Sequence, residues 1–259
     1  MSFGVRPNYI DRELHVISKI HDHIKELYRK YQIKEVILDL PLNKMQKWSD
    51  FTARRLRIDR DDFYSKVSDL FWSVGYVQLA IGYALIAKES CKFPRGLKGT
   101  VYKEQDVPIL LNIAEVHFWH HIYCTIECIY RSWERMALII KAACFPENKD
   151  KLYFDGIITK IEDDSKFSKN PNLKQLSKQV KHWTKIAEKR NKLSHKESSP
   201  MSNVNIDVVF TNIASQKSGY IPKYSYTTKD LVETFKNVRD DYKRLLPAIL
   251  DVKKFIDSL

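Results

Sequence analysis

Apolar residues recur three and four positions apart along most of this chain, which is the spacing of one buried face of an α-helix. The pattern predicts helices over residues 10–31, 43–57, 61–89, 108–144, 148–164, 172–195 and 227–258. Residues 197–226 differ, because Val204, Ile206 and Val208 alternate with polar residues and predict a small hairpin or ordered loop. We therefore expect an all-α fold with one extended insertion before the last helix.

Three of these helices carry long apolar faces, which predict where the core lies. The first helix has Ile10, Leu14, Ile17, Ile20, Ile24, Leu27 and Tyr28 on one side. The helix over 108–144 has Leu111, Phe118, Ile122, Ile129, Trp133, Met136 and Ile140. The last helix has Leu231, Phe235, Val238, Tyr242, Leu245, Ile249, Val252 and Ile256. In the last helix the spacing alternates between four and three, which is typical of a helix in a bundle.

Residues 92–108 contain two prolines and two glycines, which favour a loop and a domain boundary. We predict an N-terminal helical extension over 1–100 that packs on a helical bundle over 106–259. The whole chain of 259 residues has only 7 glycines, which argues against barrel, Rossmann and β-sandwich folds because these need many tight turns.

The sequence favours a cytoplasmic protein without a membrane partner. The first fifteen residues show no apolar run of the kind a signal peptide needs. The uncharged stretch Phe71–Ala87 is shorter than the roughly 20 apolar residues of a membrane-spanning helix, so we expect a buried core helix there. The 4 cysteines form no CxxC pair, which indicates reduced thiols.

The charge of the chain is strongly basic and unevenly distributed. There are 44 Lys and Arg residues against 32 Asp and Glu, and the net charge of +12 favours a polyanionic partner. Residues 166–196 hold ten basic residues and one acid, which gives this short segment a net charge of +9. At about 100° per residue, one narrow stripe of the helix over 172–195 collects Lys174, Lys178, Lys181, Lys185, Lys189 and Lys192.

The opposite stripe of the same helix is apolar until its last position. Leu176, Val180, Trp183 and Ala187 form this stripe, and Arg190 continues it. A guanidinium aimed toward the core costs several kcal/mol unless it is paired or has a function. Arg190 is therefore a candidate functional residue.

The segment that begins at Arg190 reads R-N-x-x-x-H, with Asn191 next and His195 four residues beyond it. This motif, at the end of a helix in an all-helical chain, resembles the signature of the HEPN superfamily over about residues 106–259. The resemblance implies a HEPN-type four-helix bundle built from the helices at about 108–144, 148–164, 172–195 and 227–258. It also implies a homodimer in which two copies of the motif face each other.

The activity that the resemblance implies is metal-independent cleavage of RNA, without a cofactor, by attack of a 2′-hydroxyl on the adjacent phosphate. An imidazole with a pKa of about 6.5 can transfer a proton near neutral pH, which suits His195 as the acid or base. A guanidinium can bridge the charge of the transition state, which suits Arg190. Asn191 would orient one of these groups, and the products would be a 2′,3′-cyclic phosphate and a 5′-hydroxyl.

The lysine stripe would hold RNA phosphates with little sequence preference. A toxin or defence effector is one expectation for such an enzyme, and the basic stripe also suits an acidic protein partner such as an antitoxin. Other readings stay open. Arg190 can pair with Glu127 or Glu134, His195 can cap the helix C-terminus, and the lysines can be a solvated face. A non-catalytic nucleic-acid-binding or assembly module is the alternative function.

A second set of candidate ligands lies along the helix over 108–144, where His117, His121, Cys124 and Cys128 share one stripe. Four ligands on one straight helix span about 16 Å at about 1.5 Å per residue, so they cannot share one ion. At most two neighbours can bind a metal together, and a second buried seam is the simpler reading, so we predict no metal site. The stripe continues into Arg131 and Arg135, which we predict to line the same RNA-binding cleft as Arg190.

Overall fold

The computed structural model describes residues 7–33, 42–90, 113–195 and 228–259. The helices in these ranges are α1 (Pro7–Lys30), α2 (Leu42–Leu56), α3 (Arg60–Ser90), α4 (Ile113–Cys144), α5 (Phe154–Asp163), α6 (Leu173–Ser177), α7 (Val180–His195) and α8 (Thr228–Asp257). Throughout these four ranges the regular secondary structure is helical, which confirms the all-α prediction. The predicted loop over 92–108 lies outside the described residues, as does the predicted insertion over 197–226.

The core is built around α4, which packs against α3, α5, α7 and α8. Its pairing with α3 is antiparallel, because Tyr83 stacks on His121 while Asp69, earlier on α3, pairs with Arg135, later on α4. The face predicted for α4 is buried at Phe118, Ile122, Ile129, Trp133, Met136 and Ile140. The described part of the α8 seam is buried as well, at Phe235, Val238, Tyr242, Leu245, Ile249, Val252 and Ile256.

The face predicted for α1 is only partly buried. Ile24, Leu27 and Tyr28 belong to the core, but Ile17 is 61% exposed, so its predicted burial is wrong. The close approach of α1 to α3 occurs at Ile24, because Gly82 of α3 has no side chain there. A Cβ on Gly82 would lie 2.7 Å from Cγ2 of Ile24, which is closer than two carbon atoms can pack. Ile17 lies almost two helical turns before this contact.

Helix α3 is a core helix over Phe71–Ala87, as predicted, although one edge of it is exposed. Val74, Val77 and Ile81 are buried, whereas Trp72 is 58% exposed and Tyr76 is 59% exposed. The helix is long and apolar enough to cross a membrane by length and composition alone. Half of its most apolar window is buried inside the protein, and helices in protein cores pass the same test of length and composition.

The N-terminal helices share the core with the rest of the chain. Tyr31, just after α1, packs edge-on against Phe235 of α8 with ring centroids 5.7 Å apart. Trp48 of α2 donates from Nε1 to Oδ1 of Asp257 at 2.7 Å. The division into 1–100 and 106–259 stays a prediction, because most of its boundary lies outside the described residues.

The segment predicted as one helix over 172–195 is two helices, α6 and α7, separated by a turn at Lys178 and Gln179. The turn is anchored from the side by α8. Gln179 is buried, and its Nε2 donates to Oδ2 of buried Asp251 at 2.7 Å, while Nε2 of Gln175 lies 3.4 Å from the same oxygen. A buried carboxylate needs such donors, so the chain turns where both amides can reach it.

Candidate functional site

Helix α7 lies between α4 and α8 and sends neighbouring cations to opposite sides. Arg190 contacts Glu127 of α4, while Lys189 contacts Asp241 of α8. Consecutive residues on a helix are about 100° apart, so the two side chains leave α7 in different directions. The outer face of α7, away from the core, holds the exposed lysines Lys181, Lys185 and Lys192.

Arg190 is held in place by three neighbours. Its Nε donates to Oε2 of Glu127 at 3.3 Å, and its Nη1 lies 3.4 Å from Oδ1 of Asn191. The guanidinium carbon sits 5.2 Å from the centre of the Tyr130 ring, within cation–π range. The side chain is 32% exposed, and these hydrogen bonds use two of its five N–H donors. The predicted ion pair between Arg190 and Glu127 is therefore confirmed.

Glu127 binds two arginines at once. Its Oε1 accepts from Nε of Arg131 at 3.1 Å, one helical turn along α4, while Oε2 faces Arg190. The structure therefore places Arg131 and Arg190 on the same carboxylate, and the predicted RNA-binding cleft stays a prediction. Glu134 adds a second acid close by, so the charge around Arg190 is nearly balanced and the basic excess lies on the outer face of α7.

Tyr130 connects Arg190 to a column of aromatic rings. Its ring centroid lies 5.0 Å from that of buried Trp183, which in turn stacks on Tyr153 at 6.2 Å. Burial, together with the charge of Glu134 and a hydrogen bond to it, raises the pKa of Tyr130 to about 12, although Arg190 opposes the shift. Tyr130 therefore stays a neutral phenol at any physiological pH and offers a fixed π face to the guanidinium.

Asn191 and His195 lie on the same helix as Arg190. Asn191 is exposed, and helical backbone continues through His195, whose side chain lies outside the described residues. On a continuous helix, positions five residues apart differ by about 140° around the axis. Within one chain, Arg190 and His195 therefore do not share a helix face.

The lysine stripe predicted from the helical wheel is divided by the turn between α6 and α7. Lys174 lies on α6 and Lys178 in the turn, where its Nζ donates to Oε1 of Gln175 at 3.2 Å. Both lysines line a shallow groove of about 570 Å³ together with Glu162, Ser168, Asn170, Leu173 and Ser177. Lys189 is engaged by Asp241, so its ammonium is not free on the outer face.

Arg135 lies apart from the Arg190 cluster. Its Nη1 is 3.8 Å from Oδ2 of Asp69, which draws the side chain toward α3. Arg131 is 62% exposed and lies on the Arg190 side of α4. The two arginines predicted to act together thus have different partners.

The histidine and cysteine stripe of α4 forms a packed row of side chains. The ring of His121 stacks on Tyr83 at 5.2 Å and lies 6.1 Å from that of His117, while Sγ of Cys124 is 3.6 Å from Nε2 of His120. Burial and the neighbouring histidines lower the pKa of His121. Among the described residues no three His, Cys, Asp or Glu side chains are placed to hold a metal. The described cysteines are free thiols, two of them on this stripe.

The sequence offered Glu127 as a partner of Arg190 but did not identify Tyr130 or Asp241 as partners of α7. Tyr130 lies three residues after Glu127, so both face the same neighbour from one side of α4, and this spacing is the signal that was available. Asp241 lies next to Tyr242 in the predicted seam of α8, a position where a buried carboxylate requires a cation from the facing helix.

No protein-family model matches this chain, and searches among the curated proteins and the solved structures find no match either.

Proposed function

We propose that this chain is a metal-independent endoribonuclease with a HEPN-type bundle, in which Arg190, Asn191 and His195 act on the RNA backbone. The observation that carries the proposal is the setting of Arg190. Its guanidinium is one-third exposed and held by a carboxylate and an aromatic ring. A guanidinium held in this way can donate two parallel hydrogen bonds to a phosphate.

The reaction follows from these residue types. The 2′-hydroxyl of one nucleotide loses its proton to an imidazole, and its oxygen attacks the adjacent phosphorus. The bond from phosphorus to the 5′-oxygen breaks, and that oxygen receives a proton from the imidazolium formed in the first step. Arg190 offsets the negative charge that gathers on the phosphate oxygens, and Asn191 orients the guanidinium through its side-chain oxygen. One strand ends in a 2′,3′-cyclic phosphate and the other in a 5′-hydroxyl.

The separation of about 140° between Arg190 and His195 supports a site shared by two copies of the chain. In a twofold dimer, Arg190 of one protomer can meet His195 of its partner. The exposed Lys181, Lys185 and Lys192 would then hold the flanking phosphates, with Arg131 beside Arg190.

The first test is cleavage of RNA in excess EDTA by the wild type, Arg190→Ala and His195→Ala. We expect cleavage by the wild type with a cyclic phosphate at the new end, and at least a 100-fold loss in each variant, since one charge-stabilising or proton-transferring group contributes about that much. Arg60→Ala and His117→Ala are matched controls, because they remove the same residue types from exposed positions away from α7.

A folded wild type that leaves RNA intact contradicts the nuclease proposal, as does full activity in His195→Ala. Arg190→Lys sharpens the result, because it keeps the charge and loses the planar fork. If Arg190 acts through paired hydrogen bonds, the lysine variant stays well below the wild type.

Mixing the two inactive variants tests the shared site. In an equal mixture of Arg190→Ala and His195→Ala, about half of the dimers contain one copy of each, and each such dimer holds one intact site of two. We therefore expect about a quarter of the wild-type activity. No recovery in a mixture that exchanges subunits would show that each chain supplies its own pair.

A second function is supported by the Glu127–Arg190–Asn191 contacts, which are also what a purely structural arginine would make. In that case the chain is a non-catalytic module that binds nucleic acid or an acidic protein through the lysines of α7. Tight RNA binding without cleavage by any variant distinguishes this function. A role as a toxin or defence effector with an acidic antitoxin belongs to the first proposal, and co-purification of an acidic protein would support it.

A further inference from the structure

The side of α7 that faces α8 carries a second cluster of charged groups. Arg244 of α8 lies with Nη1 3.1 Å from Nδ1 of His182, and Asp241, one turn earlier on α8, binds Lys189. Exposed Lys181 and Lys185 flank His182 on α7. Arg190 points about 100° away from Lys189 around the helix, toward α4.

The charges in this cluster do not cancel. Lys189 and Asp241 neutralise each other, which leaves Arg244, Lys181 and Lys185 as an excess of three cations around a histidine. Arg239 and Asp240, the two charged residues just before Asp241 on α8, pair with each other at 3.5 Å. Cations gathered at this density repel one another unless an anion lies between them.

The contact between Arg244 and His182 fixes the state of the imidazole. A guanidinium has only donors, so Nδ1 of His182 must accept and cannot carry a proton. Burial lowers the pKa of His182, and so do Arg244, Lys181 and Lys185, whereas Asp241 acts in the opposite direction. At neutral pH the ring is therefore a neutral acceptor that occupies one donor of Arg244.

We propose that His182, Arg244, Lys181 and Lys185 form a phosphate-binding subsite between α7 and α8 that takes up a proton when it fills. The subsite rests on the proposed function in one respect, namely that its ligand is the phosphodiester backbone of RNA. A phosphate oxygen replaces Nδ1 as the acceptor for Arg244. The freed Nδ1 then binds a proton from solvent and donates it to the phosphate as a hydrogen bond.

The proposal predicts a specific pH dependence. Because the anion favours the protonated ring, binding raises the pKa of His182, so RNA affinity increases as the pH falls from 7.5 to 5.5. The groups facing this ring are Lys181 and Lys185 on α7 and Asp241 and Arg244 on α8. A pH dependence that His182→Gln abolishes is therefore attributable to the imidazole ring.

The test is RNA binding in the His195→Ala background, so that cleavage does not interfere. A fluorescent single-stranded oligoribonucleotide is titrated against this parent, Arg244→Ala, Lys243→Ala and His182→Gln. Lys243 is the matched control, because it is the exposed cation next to Arg244 and its loss changes the net charge equally. We expect at least a 10-fold loss for Arg244→Ala, less than 2-fold for Lys243→Ala, and a flat pH profile for His182→Gln.

Salt dependence and the imidazole itself give independent readouts. Loss of one phosphate contact should reduce the slope of log affinity against log salt by about 0.7 for a single strand. Inorganic phosphate should raise the pKa of His182. An NMR titration that follows the imidazole resonances of His182 measures this pKa. Arg244→Lys keeps the charge without the fork and serves as a second variant if Arg244→Ala melts at a lower temperature.

Equal losses in Arg244→Ala and Lys243→Ala overturn the subsite, since net charge alone would then explain them. A parent that binds no RNA overturns it as well, and so does polyglutamate that competes as strongly as RNA of equal charge. If the wild type does not cleave RNA but Arg244→Ala still binds RNA more weakly than Lys243→Ala, only the nuclease proposal is contradicted and the subsite stands.

Discussion

Two adjacent cations on α7 pair with carboxylates in very different surroundings. Lys189 binds Asp241, which is 8% exposed, whereas Arg190 binds Glu127, which is 36% exposed and also binds Arg131. The first pair closes a buried position between α7 and α8, and the second forms a partly open, shared contact on α4. The comparison indicates that the Lys189–Asp241 pair serves stability, while the carboxylate that holds Arg190 is partly solvated and shared with Arg131.

The largest expected effect comes from removing the cation on the buried side. Lys189→Met leaves Asp241 as a buried carboxylate without its cation, which should lower the free energy of unfolding by about 3 kcal/mol. Arg190→Met should cost less than about 1 kcal/mol, because Glu127 is partly solvated and keeps Arg131. Urea unfolding followed by circular dichroism measures both values.

Lys192→Met is the control for this comparison, because it removes an exposed lysine from the next turn of α7. Adding Asp241→Asn to Lys189→Met should recover most of the lost stability, since the amide carries no charge to bury. Equal costs for the Lys189 and Arg190 variants would show that the two flanks do not differ.

The helices of this protein could be predicted from apolar spacing, but of the contacts that position α7 only Arg190–Glu127 was among the alternatives that the sequence offered. The seam of α8 from Phe235 to Ile256 is buried as its four-and-three spacing predicts. Such a spacing identifies which side of a helix is buried without identifying its partner. The pairs Lys189–Asp241 and Arg190–Glu127 join residues 52 and 63 positions apart, and only the packing of three helices brings them together.

The turn between α6 and α7 escaped prediction for a related reason. The lysine and leucine spacing continues through Gln179 as if the helix were unbroken, and the residue that favours the turn, Asp251, lies on α8. A local propensity is outweighed there by the need to satisfy a buried carboxylate. The same limit applies to Ile17, whose exposure depends on where α3 meets α1.

A medium effect is expected when the anchor of that turn is removed. Gln179→Leu keeps a side chain of similar size but removes the 2.7 Å hydrogen bond that Gln179 donates to Asp251. This loss should lower the free energy of unfolding by about 2 kcal/mol. Gln175→Leu is the graded control, because its amide lies 3.4 Å from the same oxygen and should cost less. If thermal melts show both variants equal to the wild type, the amide hydrogen bonds to Asp251 contribute less to stability than the ion pair of Lys189 with Asp241.

The smallest effect on stability is expected from Glu127→Gln. This substitution also tests most directly how the Arg190–Glu127 pair differs from the Lys189–Asp241 pair. The free energy of unfolding should change by less than about 1 kcal/mol, because the acid is 36% exposed and the amide oxygen can still accept from Arg131 or Arg190. RNA affinity in the His195→Ala background should rise a few-fold, since the carboxylate competes with phosphate for the guanidinium. Glu188→Gln, which removes an exposed acid from α7, corrects for net charge. A fall in affinity instead would mean that Glu127 orients Arg190 toward phosphate, and the open side of α7 would then be as tightly specified as the buried one.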